Sequence, residues 1–147
     1  MKNRHAFTLV ELVVVIMILG ILAGVAAPKL FNTSSDAVDN GLRQTLSIVR
    51  DAIELYAAQN GGQLPTCSGD GTGANNFHGL LTPYLRGDFP NCPVGAQNNL
   101  VTPSTAADPD GVANPTTGWI FSTNDGSFIC ALNSATASDA AINYDEL

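Results

Sequence analysis

The chain has 147 residues, enough for one modest domain plus an appendage, with 13% charged and 45% hydrophobic residues. Its net charge of −7 hides an asymmetry, because beyond Ala6 four bases (Lys29, Arg43, Arg50 and Arg86) stand against all 13 acids, a net of −9. That part of the chain has no basic patch with which to neutralise phosphates, which speaks against a nucleic-acid partner.

The first element is an apolar run from Phe7 to Ala27, 21 residues with Glu11 as the lone ionisable side chain. As a helix it spans roughly 31 Å, close to the hydrocarbon thickness of a bilayer. Lys2 and Arg4 precede it and hold that end on the cytoplasmic side, so everything after the run is delivered across. A cleaved secretory signal fits poorly, since the run is long, contains an acid, and is followed at once by Pro28. A plain membrane anchor fits the length but leaves Glu11 unexplained, because a carboxylate in lipid costs several kcal/mol unless neutralised or paired.

The segment Ala6-Phe7-Thr8-Leu9-Val10-Glu11 resembles the cleavage and methylation motif of the type IV pilin and type II secretion pseudopilin superfamily. The resemblance implies a basic leader, residues 1–6, removed between Ala6 and Phe7 by a prepilin peptidase that also methylates the new Phe7 amine. The family usually has glycine before the cut, and Ala6 keeps a small residue there. Glu11 falls fifth in the implied mature chain, where the family has its acid, and Pro28 falls where the family has a helix-kinking proline. Cleavage leaves a charged amine on Phe7 within lipid, and Glu11 of one subunit can neutralise the Phe7 amine of the next. The alternative is that Glu11 snorkels to the cytoplasmic interface. Gly20 and Gly24 form a small-xxx-small pair that lets helices approach closely. With Pro28 they make residues 20–28 the weakest stretch of the helix, since Gly costs about 1 and interior Pro about 3 kcal/mol relative to Ala.

Residues 7–28 are thus an assembly helix, and 29–60 its amphipathic continuation. Val38, Leu42, Leu46, Val49, Ile53 and Tyr56 recur at steps of three and four, a seam for a head to pack against. Asn60-Gly61-Gly62 is a helix stop. The head, 61–147, begins with an exposed loop over 66–76 and a short helical turn over 77–85 with Leu80, Leu81 and Leu85 inward. An extended, Pro-pinned connection over 89–96 follows, then a polar Pro-rich surface loop over 97–117. Gly118–Ser122 and Ser127–Leu132 read as two strands around Asn124-Asp125-Gly126, a hairpin signal. Trp119 and Phe121 share the strand face that covers the seam. The predicted fold class is therefore α+β, a long helix packed by a small antiparallel sheet, which is again similar to the pilin layout.

The three cysteines, Cys67, Cys92 and Cys130, all fall in the head. One disulfide and one leftover thiol suits an exported head, and three reduced cysteines remain the alternative. All three pairings stay open, with Cys92–Cys130 preferred because it would tie the Pro-rich connection to a strand. His78 is the one histidine beyond the leader, and no catalytic or phosphate-binding motif occurs. An enzyme is not expected, nor is a cofactor. The resemblance to pseudopilins leaves calcium open for acids such as Asp108, Asp110 and Asp125, although Pro109 and a missing distal Glu argue against an EF-hand.

The expectation is a structural subunit of a type IV pilus or pseudopilus. The precursor would sit in the inner membrane and, after processing, form a helical homopolymer outside or in the periplasm, with self, the peptidase, the inner-membrane assembly machinery and the bilayer as partners. The other reading is a bitopic protein whose head binds an extracytoplasmic ligand.

Overall fold

The computed structural model describes residues 8–147, without the side chains of 28–32. Its elements are α1 (Leu9–Gln59), α2 (Phe77–Leu81) with a 3-10 turn (Thr82–Tyr84), β1 (Val101–Ser104), β2 (Trp119–Ser122), β3 (Phe128–Cys130) and a closing 3-10 turn (Tyr144–Glu146). The chain divides into two compact units at Ser35/Asp36.

In the first unit α1 is built from aliphatic residues that suit a helix, and Leu9–Ala27 has a mean hydropathy of 2.8 with none of it buried. In the second unit α1 becomes amphipathic. Leu42, Leu46, Val49, Ala52 and Ile53 are buried along one stripe, with Tyr56 packed at its edge. The stripe differs from the expected one at its start: Val38 is 36% exposed, whereas the neighbouring Asp39 is only 2% exposed. The reason is polar, since the Ser138 N–H and hydroxyl both donate to Asp39 Oδ2, the former at 2.8 Å. The helix ends where the Asn-Gly-Gly signal sits. Gly62 N–H reaches back to Ala57 O at 2.8 Å, and Gly61 takes φ 66°, a left-handed conformation that glycine adopts without a Cβ penalty.

The head is α+β, with a three-stranded sheet ordered β1-β2-β3. β2 and β3 form the expected antiparallel hairpin, with Trp119 opposite Cys130 and Phe121 opposite Phe128. β1 is a third strand inside the stretch expected to be a loop, and it pairs with β2 in parallel, Val101 opposite Trp119. Its Pro103 is tolerated because β1 is an edge strand and proline lacks only a ladder donor. Trp119, Phe121 and Phe128 face α1 and meet Phe77 of α2, whose ring centroid lies 4.4 Å from that of Phe121. The Trp119 indole N–H donates to Pro90 O at 3.0 Å, which satisfies its polar end inside the core. Ile120, Ile129 and Ala131 form a smaller cluster apart from that core, as period-two alternation requires.

Candidate functional site

Of the residues expected to be processed, Ala6 and Phe7 lie outside the described residues. The description begins one residue later and catches a defined structure there. Thr8 precedes α1 and acts as its N-cap: Thr8 Oγ1 accepts from the Glu11 N–H at 3.2 Å. Glu11 returns the bond, its Oε2 accepting from the Thr8 N–H at 3.2 Å and from the Thr8 hydroxyl at 3.1 Å. This reciprocal capping box satisfies donors that a helix start leaves open, which matters most where no water can replace them. It also puts a carboxylate at the positive end of the helix dipole. The role of Thr8 was missed in reading the sequence, although Thr8-Leu9-Val10-Glu11 is itself the [ST]-x-x-[DE] signal.

Along the rest of the apolar helix, side chains from Leu9 to Val25 point into open space. A Cβ built on Gly20 or Gly24 would meet nothing within 4 Å, so these two sites form a bare strip of backbone. Pro28 falls inside α1, with its side chain outside the described residues.

In the head, Cys92 and Cys130 are buried free thiols with Sγ atoms 3.6 Å apart, hydrogen-bonded to each other. That bond and burial push the Cys92 thiol well above its ordinary range. Gly118 makes the approach of the two segments feasible, because a Cβ there would collide with Asn98 O and Cys92 Cβ. Cys67 is half-buried, with Sγ 3.9 Å from Val101 O, and burial together with the nearby Asp70 carboxylate raises its thiol to about 11.

The acids considered for calcium do not assemble. Asp108 and Asp110 do not join Asp125 in a cluster, and Asp125 is committed to the hairpin turn, accepting from the Ser127 N–H at 3.1 Å and its hydroxyl at 2.6 Å. Hydrogen bonds from Ser122 and Ser127 hold Asp125 down at about 2. Among the described residues no three His, Cys, Asp or Glu side chains come together as metal ligands do. His78 stacks on Phe89 with centroids 4.2 Å apart and a buried, unpartnered Nε2. Burial lowers its pKa against the raising effects of the Asn99 backbone and Asp70. Its ring is committed to packing against Phe89.

Comparison with known proteins finds a known motif at the N-terminus. The family model described as "Prokaryotic N-terminal methylation motif" matches residues 1–27. The chain is similar to prepilin peptidase-dependent protein D of Escherichia coli, 40% identical over 73 residues, which is 50% of this chain and 49% of that protein. It is also similar to the type IV narrow pilus major component PilA5 of Thermus thermophilus, 38% identical over 65 residues, covering 44% of this chain and 55% of that one. The chain thus spans about half the length of these curated relatives. No solved structure gives a significant match. The N-terminal segment therefore carries the prepilin-type methylation motif, and the layout that follows it is a pilin-like α+β one.

Proposed function

We propose that this chain, carrying the prepilin-type methylation motif, is a structural subunit of a type IV pilus or secretion-type pseudopilus. The observation that carries the reading is the 19-residue apolar helix Leu9–Ala27, of which no part is buried within the chain. So much apolar surface demands lipid or other copies of itself. Prepilin peptidase would cut between Ala6 and Phe7 and methylate the Phe7 amine, while the precursor waits in the inner membrane. The assembly machinery would then transfer subunits from the bilayer into a helical homopolymer, cohering through helices that approach at Gly20 and Gly24 and loosen towards Pro28.

Glu11 has two compatible tasks in this account. Its Oε2 caps its own helix through Thr8, and its Oε1 receives the Phe7 ammonium of the neighbouring subunit. Each charge then becomes tolerable in the low-dielectric interior only when subunits meet, so the pair sets register. The head, delivered to an oxidising compartment, would close Cys92 and Cys130 into a disulfide. The two thiols lose two protons and two electrons to a thiol–disulfide exchange oxidant, and Cys67 stays free. The acidic head gives no support to nucleic-acid capture, and nothing assembled there supports an enzyme.

The test is Glu11→Ala and Glu11→Val, with membrane-stored subunit and sheared filaments quantified in parallel. Both variants should insert as the wild type does and yield few filaments. Filaments in normal number from either would sink the proposal.

A further inference from the structure

Five sites in the chain place an Asn or Asp directly before a glycine: Asn40-Gly41, Asn60-Gly61, Asp70-Gly71, Asp110-Gly111 and Asp125-Gly126. Such pairs share a latent reaction, because glycine has no Cβ to keep its backbone nitrogen from the side-chain carbonyl carbon of the preceding residue. That nitrogen attacks readily only when its own N–H is not committed elsewhere. Gly41 lies inside the α1 ladder, and Gly71 N–H donates to Ser68 O at 3.1 Å. Gly111 N–H donates to Asp145 Oδ2 at 2.9 Å, and Gly126 N–H to Ser122 O at 3.1 Å. Of the five glycines, only Gly61 has an N–H that meets no acceptor among the described residues.

The surroundings of that amide are open. Asn60 and Gly61 are exposed, and a Cβ built on Gly61 or Gly62 would meet nothing within 4 Å, so water reaches the peptide freely. One contact opposes the reaction, since Asn60 Nδ2 donates to Tyr56 O at 2.8 Å. A single exposed, neutral hydrogen bond shifts an opening equilibrium by about tenfold at most, and this one sits at the fraying end of a helix. Asn40 is also exposed, but freeing the Gly41 amide would open α1 beside the buried Asp39 and Leu42. The three Asp side chains are poorer electrophiles still, because they are carboxylates at neutral pH.

We infer that Asn60 is a site of spontaneous deamidation. The Gly61 nitrogen gives up its proton to base and bonds to Asn60 Cγ. The Cγ–Nδ2 bond breaks and ammonia leaves, its third hydrogen supplied by water. A second water opens the resulting cyclic imide at either carbonyl, giving aspartate or isoaspartate with no change of oxidation state. Both products place a carboxylate at the negative end of the α1 dipole, where the last turn carries no basic residue to offset it. Both also lose the donor to Tyr56 O. Isoaspartate further adds a methylene to the main chain between Ala57 and Gly62, the residues whose 2.8 Å bond closes the helix. The chemistry needs no partner and no filament, and ammonia once lost is not regained, so the change accumulates with the age of the chain.

The test holds the full chain, purified in detergent, at mildly alkaline pH in buffer and in urea. Trypsin then separates residues 30–43 from 51–86 for mass spectrometry. In buffer, Asn60 should gain the mass of an amide-to-acid exchange at least about tenfold faster than Asn40. In urea the two rates should come within about threefold of each other, because the helical protection of Asn40 is gone. Asn60→Gln, which keeps an amide on a longer side chain, should abolish the gain in 51–86. Equal rates at Asn40 and Asn60 in buffer overturn the inference, as does a rate ratio that urea leaves unchanged. A gain in 51–86 that persists in Asn60→Gln also overturns it, by moving the reaction to Asn75 or Asn76.

Discussion

Thr8 and Glu11 hold each other reciprocally at the start of α1, each accepting from the other's backbone N–H at 3.2 Å. The geometry separates two jobs that the lone acid of an apolar run would otherwise confound, capping its own helix and meeting a neighbour's charge. Thr8→Val removes the cap and leaves Glu11 free for the neighbour, whereas Thr8→Ser keeps both. We expect Thr8→Val to weaken the first helical turn by about 1 kcal/mol, the ordinary value of an N-cap. Amide hydrogen exchange in detergent micelles should show faster exchange at the first-turn amides for Thr8→Val and no change for Thr8→Ser. Equal exchange in all three proteins would remove the capping box from the account.

Asp39 ties α1 to a residue 99 positions further along, Ser138, through two bonds to one carboxylate oxygen. Arg50 adds a second tie, its guanidinium donating to Phe128 O at 3.0 Å and to Leu147 O at 3.1 Å. Asp39→Ala should destabilise the head by about 2 kcal/mol, as loss of a charge-assisted pair does. Urea unfolding of the full chain in detergent measures it, and a change within error of zero would mean that the C-terminal segment holds without Asp39.

These ties also show what could be read from residues alone. The buried stripe of α1, the Asn-Gly-Gly stop and the Asn124-Asp125-Gly126 hairpin were legible, because each rests on a local period or a turn residue. β1 was not: Val-Thr-Pro-Ser is short and carries a proline, and its pairing with Trp119–Ser122 is dictated by the sheet. Asp39 was invisible for a related reason. A lone acid beside a seam reads as solvated until the distant Ser138 is placed on it, and the period alone then puts Val38 in the seam. At the candidate site the lone acid could be read from the sequence, and Cys92 and Cys130, the pair preferred there, stand as free thiols with Sγ atoms 3.6 Å apart.

Closing that pair should leave one thiol per mature chain. Alkylation under denaturing, non-reducing conditions is expected to label Cys67 alone, and all three cysteines after reduction. Because the bond would close a loop of 38 residues, Cys92→Ala should lower head stability by up to about 4 kcal/mol in the chain-entropy account. Three labelled thiols without reduction, in filaments taken from outside the cell, would contradict the disulfide.

Acidification should act on the head in two windows. His78 has its folded pKa below the ordinary value of 6.5, so the unfolded chain takes up the proton first and stability falls as pH drops below about 6.5. Asp125, held at about 2 against an ordinary value of 3.8, contributes stability that is lost only as pH falls further, through that lower range. Melting temperature should therefore decline between pH 7 and 5 in the wild type and decline less in His78→Gln. Parallel profiles for the two proteins over that interval would show that the packed imidazole is not the titrating group.

The central claim is that Phe7 becomes the N-terminus of a filament subunit. Mass spectrometry of the intact mature protein tests it most directly, since one measurement reports both the cut and the added group. The account predicts a chain beginning at Phe7 and carrying one methyl group. An intact Met1 or a cut near Ala27 would contradict it and leave a membrane-anchored or secreted head in its place.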